Sequence, residues 1–179
     1  MRSPLRFFLL VFALSVPFWL LGAVTGFEIL PGLPLSALMI VCPLLAASIL
    51  IYREEGPAGV RGLLTRSLDF RSVRPKAWYL PIVLLMPALT VLAYGLMRWT
   101  GRPLPAFELP VGPALAMLAA FFVAAIGEEA GWTGYAIDPM QERWGALAAS
   151  LLLGAVTVLW HLVPLLRRTG RRTGSPGGP

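Results

Sequence analysis

Charge is scarce in this sequence: 13% of its 179 residues are charged and 57% are hydrophobic, whereas an average soluble domain carries about 25% charged residues. That scarcity excludes an ordinary soluble domain and points to a membrane protein. Cysteine occurs once, as Cys42 inside an apolar run, so no intramolecular disulfide is available and the plain reading is a small core residue. Histidine also occurs once, as His161, which excludes a two-histidine metal site within these residues. Acidic residues are the scarcer charge, 9 Asp and Glu against 15 Lys and Arg, for a net charge of +6. The arginines cluster outside the apolar runs, where they orient helices and touch anionic lipid. No aromatic-interleaved basic stretch, zinc-finger spacing or phosphate-cradling glycine loop occurs, so membrane lipid is an expected partner and nucleic acid is not.

Long apolar runs are plentiful. Five stand out against the roughly 20 residues needed to cross the hydrocarbon: Phe7 to Val24, Leu33 to Tyr52, Trp78 to Met97, Val111 to about Ile137, and Gly145 to Leu166. The first follows Arg2 and Arg6 as a signal peptide would, but it is longer than a typical h-region and no A-x-A site follows, so it reads as a retained helix. Prolines at 17, 43, 81 and 87 are tolerable in spanning helices, where neighbours satisfy the freed backbone. The expected fold is all-α, a polytopic membrane bundle of about five transmembrane helices formed by residues 1–166. Residues 167–179, a basic Gly/Pro-rich tail, are expected to be disordered.

Between the second and third runs lie Arg53, Arg61, Arg66, Arg71, Arg74 and Lys76, whereas the connection Gly26 to Gly32 has no basic residue. The positive-inside rule therefore puts the N-terminus and the Arg53–Lys76 loop in the cytoplasm of a multi-pass cell-membrane protein. Val60, Leu63, Leu64 and Leu68 recur at helical spacing in that loop; a short interfacial helix and an irregular solvated loop both fit. With five spans the arginine-bearing tail falls on the outer side, against the rule, and its abrupt Gly/Pro/Arg composition suggests a chain cut short or read out of frame.

Glu128 and Glu129 close an uncharged run, VGPALAMLAAFFVAA. Either the run ends before them and they sit in water, or they are intramembrane carboxylates, which are costly and normally functional. His161 decides between these. It lies 33 residues after Glu128, and the midpoint of that interval, Arg143 to Gly145, falls in the polar segment DPMQERWG. Helices joined there would carry both residues roughly 18 Å from the turn, so a carboxylate and an imidazole face each other at one depth. Such a pair suits general-base chemistry or metal ligation. The small-residue rows Ala116, Ala120, Ala124 and Gly127, Gly131 on one helix, and Gly145, Ala149, Leu153, Thr157, His161 on the other, lead us to expect close packing of the two.

The stretch GEEAGWTGYAIDPMQERWGALAASLLLGAVTVLWHL resembles the signature of the CPBP family, the CAAX-processing and bacteriocin-immunity (Abi) intramembrane proteases. That signature is EExxxR, then FxxxH or WxxxH, then HxxxN or HxxxD. The resemblance implies an active site inside a helical bundle and a peptide or protein substrate cut near the membrane surface, a prenylated C-terminus in eukaryotic relatives. Carried over residue by residue, Glu128 activates the hydrolytic water, Glu129 supports it, and His161 helps bind the water. If a divalent metal such as zinc takes part, Glu128 and His161 are the candidate ligands.

The sequence departs from the signature in three places. Thr133 stands where the family has arginine, Thr157 where it has the aromatic, and the third motif is absent from these residues. Two expectations follow: an endopeptidase impaired in this chain, or a non-catalytic membrane protein such as an immunity-type binding partner or a protease remnant.

Overall fold

The computed structural model describes residues 2–30, 33–102 and 110–172, with side chains to residue 166. Apolar runs without water to bond the backbone must satisfy it internally, which leaves helices as the spanning elements, and the chain is helical along most of its described length. Helix α1 is Pro4–Thr25, α2 Cys42–Ser67, α3 Tyr79–Trp99, α4 Val111–Gly131 and α5 Asp138–Arg172. Short strands β1 (Glu28–Leu30) and β2 (Leu33–Pro34) pair antiparallel, Leu30 opposite Leu33. A 3₁₀ segment, Leu35–Val41, leads into α2. Of the tail expected at 167–179, residues 173–179 lie outside the described residues, and the α5 backbone is helical up to Arg172.

Among the described residues four helical stretches are long and apolar enough to cross a membrane, Val111–Leu166 spanning 56 residues. That stretch is not one rod. Its π-helical turn, Trp132–Ile137, continues α4 into α5, and the helix then breaks at Gly145, with φ 77° and ψ 164°. A side chain in that left-handed region is strained, so glycine is the residue that permits the reversal. Unbroken, the helix would separate Glu128 from His161 by about 50 Å; their side chains are 3.8 Å apart. The fourth stretch is thus two arms, and the fourth and fifth apolar runs of the sequence are both represented. A similar break at Gly56 (φ 70°) divides α2. The residues beyond it to Ser67 are helical, with Leu63 buried, which favours the helix over the irregular loop.

The contacts divide the chain into two units: Leu68–Ala119, and Met1–Ser67 with Ala120–Pro179. In the smaller unit the turn before α3 is tied locally. Lys76 Nζ donates to the Phe70 and Arg71 carbonyls at 2.8 and 3.1 Å, and the Tyr79 hydroxyl donates to Phe70 O at 2.6 Å. Asp69 accepts from the Ser72 hydroxyl and from the Arg71 amide, and these bonds, the Ser72 hydroxyl first, hold its carboxyl below the usual range.

In the larger unit, α1 is the hub. Its buried row, Phe7, Val11, Ser15 and Trp19, follows the i,i+4 spacing of one helix face, and it packs against α2, α5 and the 3₁₀ segment. On α5 beyond Gly145 the core positions are Ala149, Leu153, Val156, Trp160 and Val163. Four residues rotate a helix by about 40° past a full turn, so a strict i,i+4 row drifts. Ala149 therefore faces α1, whereas His161, three such steps on, is turned away from it. Within the larger unit, the described α4 glycines do not form the close seam with α5 expected from the small-residue rows. Gly131 instead abuts α2, where a Cβ would overlap the Pro43 backbone, and Gly127 faces Leu44.

One end of this unit is fastened by a polar cluster. Arg2 donates to Glu55 Oε1 at 2.9 Å and to the Gly134 carbonyl at 3.3 Å, and lies over the Tyr135 ring. The Tyr135 hydroxyl donates to Glu54 Oε1 at 2.9 Å. The N-terminus, the Gly56 break and the π-turn thus meet at the same end.

Candidate active site

Glu128 arises from the last turn of α4, where Ala130 and Gly131 are buried against α2 and fix the helix in place. His161 arises from α5 next to Trp160, which is fully buried. The Trp160 indole donates to Ser15 Oγ at 2.7 Å, and Ser15 in turn donates to the Val11 carbonyl at 2.7 Å. The His161 backbone is therefore set by a neighbour bonded across to α1, although nothing buries the imidazole itself.

Between the side chains, His161 Nε2 stands 3.8 Å from Glu128 Oε1, with exposures of 53% and 16%. That distance exceeds a hydrogen bond of 2.7–3.2 Å and suits two groups that share a water. The other ring nitrogen, Nδ1, is 2.9 Å from the Thr157 carbonyl. A carbonyl only accepts, so Nδ1 carries the hydrogen, and in the neutral ring Nε2 turns its lone pair toward Glu128.

Alongside runs a cleft of about 680 Å³ lined by Glu129, Thr133, Leu153, Thr157, His161 and Leu162, among others. Its volume falls within the usual range of ligand sites, and its walls are mostly apolar. The structure therefore brings Glu128 and His161 together and puts Glu129 on the cleft wall beside them. Thr133, at the family's arginine position, bonds its hydroxyl to the Glu129 carbonyl at 2.7 Å, and Thr157 bonds its own to Leu153 O at 2.9 Å. Both hydroxyls are engaged on their own helix.

Among the described residues no group of three or more His, Cys, Asp and Glu side chains gathers as a metal site would. A catalytic zinc takes three protein ligands; Glu128 and His161 are two, so the residues present do not fit a zinc.

Sequence reading missed what supports the pair. Trp132 is 2% exposed, meets Phe7 edge-on at 5.4 Å and Trp160 at 5.6 Å, and lies inside the motif stretch without having been singled out. Ser15 carried no pattern to distinguish it from any serine in a spanning helix.

The described residues thus form a helical membrane bundle that sets an acid–imidazole pair beside an apolar cleft. Residues 110–172 match the family described as Type II CAAX prenyl endopeptidase Rce1-like. The chain is also 30% identical over 183 residues to CAAX prenyl protease 2 of Methanococcus maripaludis, an alignment covering 92% of this chain and 63% of that protein. The chain is thus similar to Rce1-like proteins over residues 110–172, and it spans 63% of the length of the curated relative it matches.

Proposed function

We propose that the protein is a CAAX-type endopeptidase that hydrolyses a peptide bond of a peptide or protein held in or near the membrane. Glu128 is the general base. It takes a proton from a water as the oxygen attacks the scissile carbonyl carbon, and returns that proton to the amine as the C–N bond breaks. His161, its Nδ1–H held by Thr157, offers Nε2 to the same water and orients it. Glu129 stands on the cleft wall as the supporting carboxylate. The observation that carries this reading is the 3.8 Å approach of Glu128 and His161 at the edge of the cleft. The relative's name supports a prenylated C-terminus as the substrate class, and the apolar walls suit such a chain.

The test is cleavage of prenylated and unprenylated peptides by the purified protein in liposomes. Cleavage lost in Glu128→Gln supports the assignment; cleavage retained there overturns it. A second reading, a non-catalytic membrane protein, draws support from Thr133 and Thr157. Each hydroxyl is spent on its own helix, so neither supplies what the family's arginine or aromatic would. No Glu128-dependent cleavage from the wild type, with recovery on Thr133→Arg, favours that reading.

The orientation proposed with this function has the N-terminus and the Arg53–Lys76 loop in the cytoplasm. The Arg2–Glu55 ion pair supports their lying at one end. Single cysteines in a Cys42-free background test it; a loop cysteine labelled from outside intact cells overturns it.

A further inference from the structure

Trp132 begins the π-turn that carries the chain from α4 toward Gly145. Its indole is buried, yet Nε1–H has no hydrogen-bond partner. An indole nitrogen can only donate, and a buried donor without an acceptor is costly enough that native structures seldom keep one. Every other tryptophan nitrogen placed in the core of this unit is engaged: Trp19 donates to Met39 Sδ at 2.8 Å and Trp160 to Ser15 Oγ at 2.7 Å.

An acceptor lies one helical turn back, at Glu128. Nε1 is within interaction range of the Glu128 carboxylate, but no hydrogen bond between them is formed. The ring cannot swing elsewhere, because Phe7, Phe8 and Trp160 contact it with centroids at 5.4, 6.1 and 5.6 Å. The movable partner is the carboxylate, which turns about its own side-chain torsions. Glu128 has two oxygens, and Oε1 is the one facing His161.

We propose that Trp132 is a positioning residue whose indole N–H donates to the Glu128 carboxylate and holds the second oxygen while the first works toward His161. This rests on the reading of Glu128 as general base. The cage of Phe7, Phe8 and Trp160 makes the donor rigid, and the π-turn sets it beside a carboxylate four residues earlier. A fixed donor keeps the base in one rotamer, so the effect falls on turnover rather than on substrate binding.

Trp132→Phe retains an aromatic ring for the cage and removes only the donor side of the indole. In the protein as expressed from its gene, the expected result is a kcat about 10–100-fold lower, the scale of a hydrogen bond to a charged group, with KM unchanged. Unchanged kcat in a folded Trp132→Phe protein overturns the proposal, and so does a KM that rises in step with the loss. Loss in Trp132→Phe with full activity in Glu128→Gln overturns the general-base reading instead. A readout independent of turnover and of that variant's folding is the indole ¹H–¹⁵N resonance of Trp132, the one of six tryptophan signals that no replacement of the other five removes. It is expected to shift upfield in Glu128→Gln, as a neutral acceptor replaces a charged one. A resonance unmoved by that substitution overturns the proposal.

Discussion

Trp160 and His161 are consecutive residues with opposite circumstances. Trp160 is fully buried, bonded to Ser15 on α1 and in edge contact with Trp132. The imidazole of His161 is 53% exposed, and its ring nitrogens approach the Thr157 carbonyl on its own helix and Glu128. The same contrast runs along α5: Ala149 is fully buried, whereas Val158 is 57% exposed on the cleft side. One face of the helix is anchored so that the other can present reactive groups without being filled. A site held this way needs its precision from the wall behind it, and substitutions on the two sides should therefore separate stability from chemistry.

Glu128→Gln should give the largest effect and confine it to the open side. Loss of a general base costs about 10²–10⁴-fold in rate, with the unfolding midpoint in detergent unchanged. An equal loss of stability would erase the distinction between wall and cleft. Gly131→Ala acts on the wall. Its Cβ meets the Pro43 backbone, and overpacking of that kind costs about 1–3 kcal/mol, readable as a lower denaturation midpoint. A Gly131→Ala protein as stable as the wild type would mean that α2 and α4 yield freely there.

Ser15→Ala is expected to be milder. Interhelical hydrogen bonds in membranes average about 0.6 kcal/mol, but this change also strands the buried Trp160 donor, at about 1–3 kcal/mol. A cost of about 1 kcal/mol, accompanied by slower turnover because His161 loosens, connects the two faces. Stability lost with turnover intact would disconnect them. Val158→Ala should be the smallest, within about 0.5 kcal/mol as for an exposed position, measured by the same denaturation. A larger cost would mean that the open side bears packing after all.

Much of the bundle was legible in advance because membrane spans are set by length and polarity alone. The apolar runs and the reversal near Arg143 to Gly145 needed only counting, and equal arms about Gly145 put Glu128 and His161 at one depth. The helix partners were not legible. Small residues mark where a backbone can approach, not which backbone does so, and Gly131 went to Pro43 of α2 rather than to α5. The 40° drift of an i,i+4 row likewise separated Ala149 from His161, which a row drawn on paper keeps together. The Arg2–Glu55 and Tyr135–Glu54 bonds span 53 and 81 residues, and no local pattern pairs groups so far apart.

The Ser15–Trp160 bond also has a timetable. Its partners are 145 residues apart, and a ribosome adds about 5–20 residues per second. Helix α1 therefore resides in the bilayer for on the order of ten seconds before the indole it receives has been made. A hydroxyl left alone in hydrocarbon for that interval would invite wrong neighbours, since unsatisfied polar groups there seek any partner. Ser15 does not wait alone: its hydroxyl already donates to the Val11 carbonyl one turn back. That bond needs nothing beyond α1, and it leaves the oxygen's lone pairs available to Trp160. Helix α1 is thus safe to insert early and still able to recognise α5.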